Sequence, residues 1–281
     1  MSHYNNASEL DKLTLGKTTK YISDYDPSLL QSVPRSLNRN ELNLTDLNLP
    51  FKGEDIWYGY ELSWLNDKGK PVVAVAEFRF PCTSPNIVES KSFKLYLNSF
   101  NQSKFDNIDL VQKALCHDLS STCGSQAIVK LFAVTECLPL DIKHLTATCL
   151  DGLDVEINEY HLQPQLLSLS DKQEIVEESL VSHLLKSNCL ITNQPDWASI
   201  YISYSGREID HKSLLEYLIS FRQHNEFHEQ CVERIFCDIQ THCQPEKLTV
   251  YARYTRRGGL DINPFRSTEK NIAPFARTLR Q

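Results

Sequence analysis

Two stretches early in the chain, Trp57 to Trp64 and Pro71 to Phe80, are rich in β-branched and aromatic residues and flank the turn Asn66-Asp67-Lys68-Gly69. That pattern predicts two strands joined by a turn. Apolar positions then fall at helical spacing from about Glu89 to Gln102 and from Asp109 to Ser120, before Ala127 to Thr135 returns to a strand pattern. The second half repeats the order: Gln173 to Leu185 and Ala198 to Tyr204 read as strands, His211 to Gln223 and Glu226 to His242 as helices, and Lys247 to Tyr254 as a strand. Ile175 to Val181 also fits a helical period, so its pattern leaves both readings open. A further strand is expected over Leu153 to Tyr160.

The likeness of the two halves extends to residue identity. Lys91 to Phe100 aligns with Lys212 to Phe221 at an offset of 121, with six of ten positions identical. The same offset, without a gap, pairs Val111 with Val232, Lys113 with Arg234, Cys116 with Cys237 and Val129 with Val250. A series of this kind marks an internal duplication. The expected fold class is therefore α+β: two tandem β-β-α-α-β modules, residues 1–150 and 151–281, each an antiparallel sheet with paired helices on one face. Such sheets have free edges, which the other half or another subunit most simply covers.

Composition narrows the class without naming a reaction. With 281 residues, 41% apolar and 23% charged, the chain has the makings of a packed core, which excludes global disorder. The longest apolar run, Val72 to Ala76, is far too short to span a bilayer, and the first residues (MSHYNNASELDK) are polar. A cytoplasmic protein with no membrane partner is expected. Nine scattered cysteines fit reduced thiols, mostly core filler. A net charge of −7 argues against nucleic acid as a partner, yet residues 252–281 carry seven basic side chains against two acidic ones. A local basic patch suits a small anionic ligand better than a polymer.

Three stretches could carry chemistry. In Ser187-Asn-Cys189 through Pro195-Asp196-Trp197, a thiol nucleophile precedes a carboxylate by seven residues, which can shuttle its proton if the loop folds back; the plain alternative is a buried cysteine followed by a turn. In Arg222 to Cys231, His224 and His228 could share a helix face and with Cys231 hold zinc, although no His-Glu-x-x-His order is present and a satisfied histidine is the commoner case. In Arg253 to Pro264, guanidinium groups stand beside Gly258 and Gly259, a combination suited to phosphate oxygens or simply to a solvated strand end. At the repeat-equivalent positions His228 and Glu229 become Asn107 and Ile108, while Glu89 and Ser90 become Asp210 and His211, consistent with one composite site or with drift at exposed helix ends.

Taken together, Glu89-Ser-Lys-Ser-Phe-Lys-Leu-Tyr, Ser187-Asn-Cys189 with Pro195-Asp196-Trp197, Phe227-His228-Glu229 and Arg256-Arg257-Gly258-Gly259 resemble the QueF family, the NADPH-dependent 7-cyano-7-deazaguanine reductases of queuosine biosynthesis, in their long form with two tunnelling-fold modules. The resemblance implies Cys189 as the nucleophile that adds to the nitrile carbon, giving a covalent thioimide, and Asp196 as proton donor. It implies that Val88, Glu89, Ser90, His228 and Glu229 hold the deazaguanine, that Ser90, Lys91, Arg257 and Gly258 contact NADPH, that no metal takes part, and that the protein is a homodimer. The competing readings are a zinc-dependent cyclohydrolase on the same fold and a non-catalytic tRNA-binding module.

Overall fold

The computed structural model describes Leu13 and residues 21–45, 48–135, 141–143, 145–172, 174–274 and 277–281. Cys137 and the expected strand start at Gln173 lie outside the described residues. The chain forms two compact units, one of Met1–Asn48, Glu54–Leu140 and Arg256–Ile262, the other of Leu49–Gly53, Asp141–Thr255 and Asn263–Gln281.

In the first unit the order is β1 (Ser32–Pro34), α1 (Ser36–Arg39), β2 (Lys52–Leu65, from Glu54 on), β3 (Pro71–Pro81), β4 (Asn86–Val88), α2 (Ser90–Ser99), α3 (Ile108–Cys123) and β5 (Ile128–Ala133). Strands β2, β3 and β5 form an antiparallel ladder. Ala74, Ala76, Phe78 and Phe80 alternate onto one face, opposite Leu62 and Trp57, and share a core with Phe93, Tyr96 and Phe100 of α2 and Val111, Leu115 and Leu119 of α3. Both helices therefore cover the same face, because a strand of period two can bury only alternate residues against them.

The second unit runs β6 (Thr148–Cys149), β7 (Ile175–Ser182), β8 (Lys186–Asn188), β9 (Pro195–Arg207), α4 (His211–Ser220), α5 (His228–His242), β10 (Lys247–Tyr254) and β11 (Leu260–Ser267, from Asn263 on). The ladders β7–β9, β9–β10 and β10–β11 are antiparallel, and β6–β7 is parallel. Ala198, Ile200, Ile202 and Tyr204 face Tyr254, Ala252, Val250 and Leu248 across β9 and β10, all buried, and α5 packs on β10.

The 121-residue offset holds at atomic level, since α2 and α4 begin and end at matching positions. Glu89 caps α2 by accepting from the Lys91 and Ser92 N–H groups, and Asp210 caps α4 by accepting from that of Ser213. Each helix is also gripped by a preceding strap. Ser92 Oγ and Ser99 Oγ accept from the Gln31 and Asp26 N–H groups at 3.0 and 3.2 Å. Ser213 Oγ and Ser220 Oγ accept from those of Ser168 and Gln163, both at 3.2 Å. Serines at these positions satisfy backbone groups of a segment that has no ladder of its own.

Four expectations are corrected. Leu153 to Tyr160 is no strand: Leu153, Val155 and Ile157 are half-buried in alternation, but among the described residues no partner strand supplies a ladder. Among the longer strands, the one the sequence left out is β11, every residue of which is buried. Two of the basic tail's six arginines go inward with it or beside it, Arg266 onto Glu233 at 2.8 Å and Arg253 onto Asn263 at 3.1 Å, so the surface patch is smaller than the charge count implies. The ambiguous segment at 175–181 is a strand, and the helix expected from Glu226 begins at His228.

Candidate functional site

The stretch from Ser187 to Trp197 does fold back. β8 pairs with the start of β9, Ser187 opposite Asp196 and Asn188 opposite Pro195, and the pairing continues through the Cys189 N–H, which donates to Gln194 O at 2.8 Å. A turn closes the hairpin, with the Asn193 N–H on Cys189 O at 3.0 Å and Asn193 at φ 55°. Residues two apart on a strand share a face, so Cys189 stands beside Ser187 and diagonally from Asp196. Cys189 is half-buried and Asp196 is buried, which leaves the thiol reachable and the acid shielded.

A third segment joins the hairpin. The Asn188 N–H donates to His224 O at 2.8 Å and the Glu226 N–H to Asn188 O at 3.1 Å, so residues 224–226 run alongside β8. This is why α5 starts only at His228. His228, its first residue, brings Nε2 to 3.6 Å from Asp196 Oδ1, and its ring meets Tyr254 edge-on at 4.0 Å. Glu229 is buried in the first turn, where a carboxylate is favoured by the helix dipole. Phe227 offers no side-chain cap to this helix.

The segment is held by a buried ion network that sequence reasoning missed. Glu226, 2% exposed, accepts from Arg234 on α5 and stands 3.0 Å from His224 Nε2. Burial alone would raise its carboxyl, but Arg234 and His224 hold it down at about 2. His224 is thus engaged ahead of the helix rather than on its face, and burial pushes the Cys231 thiol far above its usual range. The zinc set of His224, His228 and Cys231 is not assembled. Among the described residues, Cys149, Asp151 and His183 do lie close together, but the Asp151 carboxylate already caps the turn at Ser182 and His183. A cavity of about 500 Å³, lined in part by Tyr201, Tyr251, Thr249 and Phe265, contains none of the predicted site residues.

The remaining predicted residues lie in the first unit. Val88 ends β4 with its side chain in the core, which leaves its main chain for contacts. Glu89 is fully buried, and burial raises its carboxyl against the pull of the Lys91 and Ser92 N–H groups. Ser90 and Lys91 open α2. Arg257 begins a tight turn closed by its N–H on Leu260 O at 2.8 Å, with Gly258 and Gly259 at φ 54° and 74°. Two successive positive φ values are what a type I′ turn demands, so the glycine pair is first of all a turn requirement. A Cβ on Gly258 would stand 3.0 Å from Lys94 Cδ, which sets the exposed Gly258 main chain against α2. Arg256 stacks on Tyr60 at 4.2 Å. Lysine, arginine and an open glycine backbone form a donor set that fits phosphate oxygens.

The family described as nitrile reductase, 7-cyano-7-deazaguanine-reductase N-term, matches residues 21–131, and the one described as QueF-like protein matches residues 195–273. A curated protein of Colwellia psychrerythraea (strain 34H / ATCC BAA-681), named NADPH-dependent 7-cyano-7-deazaguanine reductase, is 67% identical over 286 aligned positions, covering 100% of both chains. Among solved structures, the apo archaeosine synthase QueF-Like aligns with 35% of this chain and 96% of its own, at 14% identity and a TM-score of 0.30. With two family matches over the two halves and two-thirds identity along its whole length to a curated member, the chain belongs to the QueF family of 7-cyano-7-deazaguanine nitrile reductases.

Proposed function

We propose that the protein is an NADPH-dependent oxidoreductase that reduces the nitrile of 7-cyano-7-deazaguanine to the aminomethyl group, a step of queuosine biosynthesis. The observation that carries this reading is full-length identity of 67% to a protein of that name. The Cys189–Asp196 hairpin supports a mechanism. Cys189 Sγ adds to the electrophilic nitrile carbon, and Asp196 moves the thiol proton to the nitrile nitrogen, so the thioimide forms with no net change in protons. Two NADPH molecules, bound in turn, would each supply one hydride, and with two protons these would take the thioimide through an imine to the primary amine and release Cys189 as its thiol. His228, 3.6 Å from Asp196, keeps that carboxyl oriented. Glu229 and Glu89 accept hydrogen bonds from the guanine-like edge, and Val88 and Ser90 complete the base's contacts, a donor-rich edge matched by acceptors. Ser90, Lys91, Arg257 and Gly258 hold the dinucleotide phosphates.

The proposal includes a free nucleobase as substrate, with no nucleic acid bound, and a cytoplasmic homodimer. No helix of the described residues is long and apolar enough to cross a membrane. Its central test omits NADPH. Intact-protein mass spectrometry should show one substrate mass added per active chain, and none in Cys189→Ala. An adduct that persists in that variant, or that maps to another cysteine, moves the nucleophile and overturns the mechanism.

A further inference from the structure

We infer that Asn225 is a positioning residue for the addition step: its side-chain amide ties the turn that carries Cys189 to the segment that leads into His228. Its Nδ2 donates to Cys189 O at 3.2 Å and to Asn193 Oδ1 at 3.0 Å. Its Oδ1 accepts from Asn188 Nδ2 at 3.4 Å. Both N–H groups and the carbonyl of one amide are therefore spent on three residues of the hairpin, two of which flank or contain the nucleophile. The main chain reinforces the tie, since residues 188 and 225 are also bridged through backbone bonds.

Position matters here because Cys189 lies just past the end of β8, at the last backbone bond of the pairing, its N–H on Gln194 O at 2.8 Å, where the chain turns. Its own carbonyl is the group Asn225 grips, and Asn193, at φ 55°, keeps the turn tight with a side chain that Asn225 also engages. The other end of the tie is rigid. Glu226, the next residue, is locked to Arg234, and His228 follows two residues later within 3.6 Å of Asp196. Asn225 thus sets thiol and acid in one frame although it reaches neither reacting atom. A misplacement of even about 1 Å at such a step can cost roughly a hundredfold in rate.

The inference rests on Cys189 as nucleophile, so the experiment reads both. The rate of adduct formation with 7-cyano-7-deazaguanine, without NADPH, is followed by quenched-flow mass spectrometry in the wild type, Asn225→Ala and Asn225→Asp. An aspartate keeps the volume but cannot donate to Cys189 O or Asn193 Oδ1, so it serves if the alanine variant fails to fold. Affinity for the same base is measured by calorimetry in the Cys189→Ala background with and without each change at Asn225. The expected result is a fall in addition rate of about tenfold to a hundredfold with affinity within about twofold. Addition at the wild-type rate in either folded variant overturns the inference, as does a parallel loss of rate and affinity, which would mark a general structural role. An adduct that persists in Cys189→Ala overturns the nucleophile assignment itself and is recognised without reference to Asn225.

Discussion

The loop between the paired helices is built from opposite materials in the two units. In the first, Phe105 stacks on Phe100 at 5.3 Å and meets Tyr25 edge-on at 5.8 Å. At the position 121 residues on stands Glu226, buried against Arg234, whose own counterpart is the exposed Lys113. The helix ends differ likewise. Asn107 caps α3 by accepting from the Leu110 N–H at 3.0 Å, whereas Phe227 gives α5 no side-chain cap and His228 and Glu229 fill its first turn. The turn between the long strands contrasts as well: Asn66 closes a tight Gly69 turn in the first unit, and the Cys189 hairpin occupies that place in the second. One duplicated scaffold has kept ordinary packing and capping in one copy. In the other, polar groups stand in those places, and a buried ion network holds them where aromatic contacts do so in the first.

The contrast can be broken most sharply at the acid. Asp196→Asn should lower the rate of thioimide formation by about 10²- to 10⁴-fold, since an amide cannot carry the proton between sulfur and nitrogen. Asn66→Ala at the first unit's turn should leave that rate unchanged, as measured by the same mass spectrometry. Next in size is the ion network. Arg234→Leu strands a buried carboxylate and should cost about 3–5 kcal/mol in urea unfolding, while Lys113→Leu at the matching exposed site should stay within about 0.5 kcal/mol. Equal effects at the two sites would dissolve the distinction drawn between the loops.

The same network has a pH signature. Glu226 is held down at about 2 in the folded protein against 4.5 as the ordinary value. A depressed folded value means the contribution is fully present above pH 4.5 and is lost as pH falls from there toward 2. Glu226→Gln should therefore flatten the acid limb of stability against pH within that window, read from urea midpoints; an unchanged slope would show that other carboxylates govern it. The smallest effect is expected at the cap. Asn107→Ala should destabilise the protein by about 1 kcal/mol without altering addition to Cys189. Loss of the addition reaction in this variant would show that the first unit's helix end is not merely structural.

How much of this was legible in the chain depended on how local each feature is. The helices of Ser90–Ser99 and His211–Ser220 were readable because apolar spacing, capping carboxylates and the repeat all lie within a few residues. Strands β2, β3, β9 and β10 were legible for the same reason, Ile175–Ser182 stayed open between strand and helix, and the Cys189 motif was legible as a set of residue types. Family membership followed from short motifs whose identities survive in order. Leu153 to Tyr160 shows the limit: alternation was present, but a strand exists only where a distant partner completes its hydrogen bonds, and none among the described residues does. Leu260–Ser267 is the converse, a strand carrying proline and two charged residues that becomes one because its surroundings bury and pair it.

The polar details belong wholly to tertiary structure. Arg266 and Arg253 counted as surface charge until Glu233 and Asn263 were found beside them. Residues 224–226 left the helical pattern because Asn188 offered them backbone bonds and Arg234 offered Glu226 its charge. Sequence by itself determined the duplication, the class of most long elements and the chemical inventory, since periodicity and residue type act over one or two turns of chain. Whether the Cys189–Asp196 hairpin folds back, which groups form the buried ion network and where an amide ties residues 36 apart was decided only when separate segments of chain met. The free energy of a hydrogen bond or ion pair depends on its partner and its burial, and neither is written at the position itself.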